Sequence, residues 1–370
     1  MVIKKIILKN FRLHKNSELG FSEKLNYIIG GNGQGKTSIL EAIYYLCTTK
    51  SINHSHDSES VNFNERELEI IGQFKDLIEN KVRIQYSLDT PKKNYFLDDK
   101  QIYRASSVIG KFPVVTLTQL DHSITTGAPA ERRKLVDSII SQSSSTYLKI
   151  LLDYKKILRQ RTSLLNQIRE TQNPSLFDQL DSWTESLIKT GSQLIKLRID
   201  FTKNYLGYVI SSYQKIMEGN EIPNIIYSSF VEDLSGNIED KFRKTLQIRR
   251  KDELRRASNL VGPHKDDFIF TINNFDLRKF GSQGQHKTFQ IALRFGEFFF
   301  LKDALGKTPI FLLDDVFGEL DTYRAKKISE FLTEVGQAII TMTDFSNLDG
   351  LTKSKTDKVI KVLNGEITYA

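Results

Sequence analysis

Gly30-Gly31-Asn32-Gly33-Gln34-Gly35-Lys36-Thr37 sets a glycine, four residues and then Gly-Lys-Thr between an apolar run, Leu25 to Ile29, and an amphipathic stretch from Thr37 to about Cys47. This is the strand, loop, helix context that a phosphate-binding P-loop requires. Glycines let backbone N–H groups curl around a β-phosphate at the positive end of a helix. Lys36 is then expected to reach the β- and γ-phosphates and the Thr37 hydroxyl to ligate Mg²⁺. The expected ligand is therefore ATP with Mg²⁺. The expected binding residues are Gly30, Gly31, Asn32, Gly33, Gln34, Gly35, Lys36, Thr37 and Ser38.

A P-loop needs a second strand that ends in carboxylates, and Pro309-Ile310-Phe311-Leu312-Leu313-Asp314-Asp315 supplies one. Buried carboxylates at a strand end are unfavourable without a cation. Asp314 is expected to hold Mg²⁺ beside Thr37, and Asp315 to orient water, which makes Lys36, Asp314 and Asp315 the catalytic candidates. Asp315 is one methylene shorter than the glutamate usual at that place, so hydrolysis is expected to be slow and to act as a timer.

Upstream of that strand, Phe280-Gly281-Ser282-Gln283-Gly284-Gln285 precedes a helix expected to start near His286. The segment resembles the Ser-Gly-Gly-Gln signature of ABC-type ATPases, and Glu319-Leu320-Asp321 falls where that class has its D-loop. In that class the signature faces the γ-phosphate held by the other subunit, offering a hydroxyl and a helix N-terminus to the anion. The resemblance implies an ATP-dependent homodimer with two composite sites. Ser282, Gln283, Gly284 and Gln285 of each chain would close on nucleotide bound at Lys36 of the partner subunit.

These residues need a sheet to carry them. Ile3 to Leu8, Leu25 to Ile29, Leu68 to Phe74, Val82 to Leu88 and Pro113 to Leu117 have the β-branched and aromatic enrichment of strands. From Glu131 to about Glu218 the pattern turns helical. Leu151, Tyr154, Leu158, Arg161, Leu165 and Ile168, and then Leu180, Trp183, Leu187, Thr190, Leu194, Leu197 and Phe201, step by three and four on either side of Thr171-Gln172-Asn173-Pro174. The spacing predicts an antiparallel helical hairpin over about 147–218, with Arg161 and Thr190 as the polar exceptions in its seam. Strand-like runs return at Phe268 to Ile272, Ile310 to Leu313 and Ala338 to Met342. The expected fold is α/β: an ABC-type P-loop ATPase head with a mixed sheet, over 1–125 and 257–370, interrupted by a helical insertion over 126–256.

Composition narrows the setting. With 39% hydrophobic residues among 370, the chain can close a large core, and its net charge of +8 favours polyanionic partners. The single Cys47 excludes an internal disulfide framework. The N-terminus lacks a signal-peptide pattern, and no apolar run nears the roughly 20 residues that cross a bilayer, so no membrane partner is expected and the cytoplasm is the expected compartment. His54, His56 and Asp57 sit in a polar loop without a third and fourth ligand, which makes a metal site there a poor reading.

Several further segments resemble the RecF family along nearly the whole chain. Lys9-Asn10-Phe11-Arg12 is similar to the Asn-Phe-Arg that opens RecF and SMC-type heads, where the arginine approaches nucleotide, so Arg12 joins the binding residues by resemblance. The helix segment Gly35 to Leu46 is similar to that of RecF, with Ser38 where Asn is usual. Gly127-Ala128-Pro129-Ala130-Glu131-Arg132-Arg133-Lys134-Leu135-Val136-Asp137, Leu260-Val261-Gly262-Pro263-His264-Lys265-Asp266-Asp267 and the acidic strand through Asp321 resemble RecF segments that few other families share. Lys50-Ser51-Ile52-Asn53 and Gln119-Leu120-Asp121 depart from the family pattern, which puts a DNA or nucleotide role for those positions in doubt.

Membership of that family implies an ATP-driven homodimeric clamp on single-stranded DNA and single-strand/duplex junctions. It would work with RecO and RecR to load RecA in recombinational gap repair and replication restart, support SOS induction and associate with the nucleoid. Candidate DNA contacts are Arg132 and Arg133 beside the hairpin, and the cluster Arg249, Arg250, Lys251, Arg255 and Arg256. An ABC transporter subunit shares the nucleotide motifs, but the helical insertion, Thr341-Met342-Thr343-Asp344 in place of a switch histidine, and the Gly-Pro-His-Lys-Asp-Asp segment argue against it. A long-coil SMC protein would need far longer arms.

Overall fold

A computed structural model describes residues 1–53, 55–217, 219–231, 233–343 and 356–369. His54, Glu218 and Asp344 lie outside the described residues, as does the side chain of Glu319. The chain opens with β1 (Val2–Phe11), β2 (His14–Gly20) and β3 (Leu25–Ile29) and enters α1 (Lys36–Thr48). It returns through β4 (Glu67–Lys75), β5 (Glu79–Ser87), β6 (Lys92–Leu97), β7 (Lys100–Ile102) and β8 (Val114–Leu117). Helices α2 (His122–Thr126), α3 (Pro129–Ser143), α4 (Ser145–Thr171) and α5 (Ser175–Ile216) follow. Next come β9 (Pro223–Ser228), α6 (Ile238–Arg256), β10 (Asp267–Ile272), β11 (Phe275–Asp276) and α7 (Leu277–Phe280). The last part is α8 (Gln283–Leu305), β12 (Ile310–Asp314), α9 (Thr322–Leu332), β13 (Ala338–Met342), β14 (Lys358–Leu363) and β15 (Glu366–Tyr369).

Two compact units result. One comprises Met1–Asp121, Ser211–Asn220 and Lys287–Ala370, and the other His122–Ile210 with Glu221–His286. The second unit extends past the expected return at 257 because β10 pairs antiparallel with β9, Phe268 opposite Tyr227 and Ile272 opposite Pro223. It takes the Ser282 turn with it.

In the first unit, Leu25 to Ile29 are buried throughout, the continuous apolar run expected of a strand covered on both faces. β3 lies in parallel pairing between β13 and β14, in a sheet of order β15-β14-β3-β13-β12-β8. A second sheet, β2-β1-β4-β5-β6-β7, is antiparallel, and β4 alternates buried and open residues as a one-sided strand does. Helix α1 packs on strands of both sheets, so Ile39, Leu40, Ile43 and Leu46 share one core with Ile6, Ile70, Ile310 and Ile339. The helix is buried on more sides than an amphipathic pattern implies.

The second unit contains the hairpin as far as Ile210, and the last residues of α5, from Ser211, are counted in the first unit. Helix α4 ends at Gln172 (φ 51), whose N–H bonds Ile168 O, and Asn173 Oδ1 accepts from Ser175 N at 3.0 Å to start α5. Leu165 and Ile168 of one arm cluster with Leu180 of the other. Arg161, the polar exception in the seam, is buried, and its guanidinium bonds Thr184 Oγ1 (3.0 Å), Asn259 Oδ1 (2.5 Å) and Glu253 Oε2 (2.9 Å). A buried guanidinium is tolerated when it is paired in this way.

Candidate nucleotide site

The P-loop geometry follows from two glycines. Gly35 caps α1 at φ 102, a left-handed conformation that side chains disfavour. At Gly30 an added Cβ would lie 2.3 Å from Val362 O, so β14 approaches too closely for any other residue. Between them Gly31, Asn32 and Gly33 are exposed and Gln34 is half-buried, as is Ser38 in the first turn of α1. Lys36 Nζ arches back to donate to Gly30 O (2.6 Å) and Gly31 O (2.8 Å). Burial lowers the pKa of Lys36, opposed by the charges of Asp315 and Asp314.

Strand β12 delivers its acid to the same place. Asp314 Oδ1 accepts from Thr37 Oγ1 at 2.9 Å and from Thr341 Oγ1 at 2.7 Å, so the two expected Mg²⁺ ligands are neighbours at the N-terminus of α1. A hydroxyl beside a carboxylate is the hard oxygen donor set that suits Mg²⁺. Asp315 takes a left-handed backbone (φ 50), and its N–H donates to Thr341 Oγ1 at 2.9 Å. Thr341 thus orients both acids, a role with no motif to announce it.

Arg12 (φ 53) reaches α1 from the β1–β2 turn. Its Nε and Nη2 lie on the buried Glu41 carboxylate at 3.0 and 2.9 Å, and Nη1 donates to Glu59 O at 2.7 Å. The loop that follows α1 is held in a similar way, for Asp57 pairs with Lys93 and accepts from the Tyr45 hydroxyl. Among the described residues there is no group of three His, Cys, Asp or Glu that could hold a metal ion.

In the second unit, Ser282 Oγ accepts from Gln285 N at 3.2 Å while Gln285 Oε1 accepts from Ser282 N at 2.9 Å. This is a reciprocal capping box at the start of α8. Gln285 Nε2 is also engaged, donating to Glu221 Oε1 at 2.7 Å. Ser282 and Gln283 are exposed and Gly284 is half-buried, so Ser282 and the positive end of a long helix are presented outward, whereas the Gln285 amide is committed within its own unit.

The two segments that resemble RecF outside the nucleotide motifs meet in this unit. Arg132 is 3% exposed and forks onto Asp267 at 2.7 and 2.9 Å, and Arg133 donates to Asp266 O at 2.6 Å. Asp137 takes Arg198, which also donates to Pro263 O at 2.7 Å. Tyr154 OH lies 2.7 Å from His264 Nδ1, and Asp266 accepts from Tyr227 OH and Phe230 N. The expectation that Arg132 contacts DNA is therefore corrected: its guanidinium is buried against Asp267. Arg133 is likewise turned to the backbone. Of the other candidates, Arg250 pairs with Asp181, and Arg249 and Arg255 flank Asp252. Arg249, Arg255 and Arg256 are exposed along α6.

A P-loop at a parallel strand end, a second strand bringing its acid to the loop's threonine, and a capped Ser-Gln-Gly-Gln helix define a head of the ABC/SMC ATPase class. Residues 2–367 match the RecF/RecN/SMC N terminal domain. The chain is 38% identical over 357 residues to the DNA replication and repair protein RecF of Chloroherpeton thalassium, covering 93% of this chain and 95% of that one. It is 36% identical over 368 residues to the RecF of Lachnoclostridium phytofermentans, covering 99% of each. A solved structure of the recombination mediator protein RecF-ATPrS in the RecFOR pathway superposes with a TM-score of 0.90 at 32% identity, over 100% of this chain and 98% of that one. A Pyrococcus furiosus Smc head with an extended coiled coil, at 17% identity and a TM-score of 0.57, shares the fold. The chain belongs to the RecF family of DNA replication and repair proteins.

Proposed function

We propose that this chain is an ATP-dependent DNA-binding protein of recombinational gap repair and replication restart, acting as an ATP-driven homodimeric clamp. The observation that carries the reading is the meeting of Thr37 Oγ1 and Asp314 Oδ1 at 2.9 Å beside Lys36 and the N-terminus of α1. In this reading Gly30 to Ser38 hold the triphosphate, Thr37 and Asp314 hold Mg²⁺, and Arg12 lies near the nucleotide. The solved relative RecF-ATP, at 31% identity and a TM-score of 0.90, supports ATP as the ligand. Asp315 orients water for a slow, DNA-stimulated hydrolysis that releases the clamp.

The dimer forms because ATP at one P-loop is also contacted by the exposed Ser282 turn of a second copy, so nucleotide shifts the population toward the closed state. DNA then lies against exposed cations such as Arg255 and Arg256. RecO, RecR and RecA are the proposed partners on single-strand/duplex junctions, with SOS induction and a cytoplasmic, nucleoid-associated location following from that role. Fluorescence anisotropy of gapped DNA tests the reading. Wild type should bind at least about tenfold tighter with Mg·ATP than without nucleotide, and Lys36→Ala should lose the difference. Equal affinity in all four conditions would contradict it.

A further inference from the structure

Residues far from the P-loop in sequence hold its exit. The β14–β15 turn, Asn364-Gly365, has φ of 50 and 80. Asn364 N donates to Gln34 Oε1 at 2.6 Å, and Gly365 N donates to Gln34 O at 3.1 Å. On the other side stands His14, the first residue of β2, with no exposed surface. Its Nε2 lies 3.1 Å from Gly35 O, and its Nδ1 lies 3.1 Å from Gly365 O and 3.0 Å from Ser17 Oγ. The Ser17 hydroxyl is 2.9 Å from Gly365 O.

The Ser17 hydroxyl distinguishes the two neutral tautomers of His14. A neutral imidazole carries one N–H, while its two nitrogens face two carbonyl oxygens, which can only accept. A proton on Nδ1 would leave the Nε2 lone pair against Gly35 O. With the proton on Nε2, the ring donates to Gly35 O, and the Ser17 hydroxyl, 3.0 Å from Nδ1, relieves the other side by donating to the Nδ1 lone pair that faces Gly365 O. Ser17 therefore supports the form in which His14 holds the carbonyl of Gly35, the left-handed residue immediately before Lys36. That bond fixes the peptide plane on which the Lys36 N–H lies, and with it the direction in which the first N–H of α1 points.

We infer that His14, backed by Ser17 and the Asn364-Gly365 turn, is a positioning residue for nucleotide: its Nε2–H sets the Gly35–Lys36 peptide so that the loop's N–H groups converge on a phosphate. The inference rests on the proposed ATP site. His14 itself touches no nucleotide; it acts through Gly35. Glycine is needed at 35 for its left-handed backbone, and a Cβ there would lie 3.0 Å from His14 Nε2 and press on the ring.

Calorimetric titration of Mg·ATP into the full chain tests this, using wild type, Lys36→Ala, His14→Phe and His14→Gln. Phenylalanine keeps a ring and removes the donor, whereas glutamine restores an N–H that reaches Gly35 O. Thermal unfolding without nucleotide reports whether each variant is folded. If His14→Phe is not, His14→Leu carries the same comparison against His14→Gln. The expected result is an affinity about fivefold to tenfold weaker for the donor-less variant, the effect of one lost hydrogen bond, with His14→Gln within about threefold of wild type. Wild-type affinity in the donor-less variant, or equal losses in both variants, would overturn the inference while leaving the ATP site intact. A wild type that binds no more ATP than Lys36→Ala would instead remove the site on which the inference rests.

Discussion

His264 shows how one residue of a family-like segment is fixed by its neighbours. Tyr154 OH donates to Nδ1 at 2.7 Å, and Nε2 lies 3.2 Å from Asn259 O, so the neutral ring with its proton on Nε2 satisfies both contacts. Burial brings the imidazole pKa down to about 4, assisted by Lys265, Arg133 and Arg161 and opposed by the Asn259 carbonyl. A depressed pKa means the unfolded chain takes up the proton first, so the contribution of His264 is complete above its ordinary value of 6.5 and is lost as pH falls toward 4. The unfolding free energy should fall through that window, with His264 supplying up to about 3 kcal/mol of the loss. Urea titrations of wild type and His264→Gln would read this as a shallower slope in the variant, and an unchanged slope would contradict it. The meeting of Thr37 with Asp314 was legible because a P-loop and its acidic strand prescribe both residue type and spacing. Thr341 and His14 were not, because Thr341 meets Asp314 through the pairing of β12 with β13, and His14 meets Gly35 only where strands of two different sheets come together.

Elements separate the arginines that a charge count had grouped. On α3, Arg132 faces inward to Asp267 at the start of β10, whereas Arg255 and Arg256 end α6 in solvent. Leu135, Val136, Ile139 and Ile140 mark the inner face of α3 and Arg132 continues that stripe three and four residues earlier, so its burial was legible in the apolar spacing although charge alone grouped it with Arg133. Arg132→Ala leaves Asp267 without its partner and should destabilise the fold by about 3 kcal/mol. Arg255→Gln with Arg256→Gln should cost no more than about 1 kcal/mol of unfolding free energy and should lower DNA affinity together with its salt slope. Chemical denaturation and DNA titrations at two salt concentrations check the pair, and the reverse assignment of effects would refute it. The hairpin arms were readable from their apolar spacing. The return of the chain at Lys287, and not at 257, was hidden because β9 and β10 are short and β10 reads as any other strand.

For the whole molecule, one chain carries a P-loop in its first unit and a capped Ser282 turn in its second, and the proposed function needs both from different copies. The exposed Ser282 and the positive end of α8 are suited to meet an anion held by another subunit. The proposed composite site therefore requires ATP-dependent self-association. Light scattering with Mg²⁺, on wild type, Lys36→Ala and Ser282→Arg, with ATP and without nucleotide, tests it most directly. Wild type alone should pass from the 42.6 kDa monomer to a dimer, and only with ATP. A wild type that stays monomeric with ATP, or a dimer that forms equally well in Ser282→Arg, would contradict it.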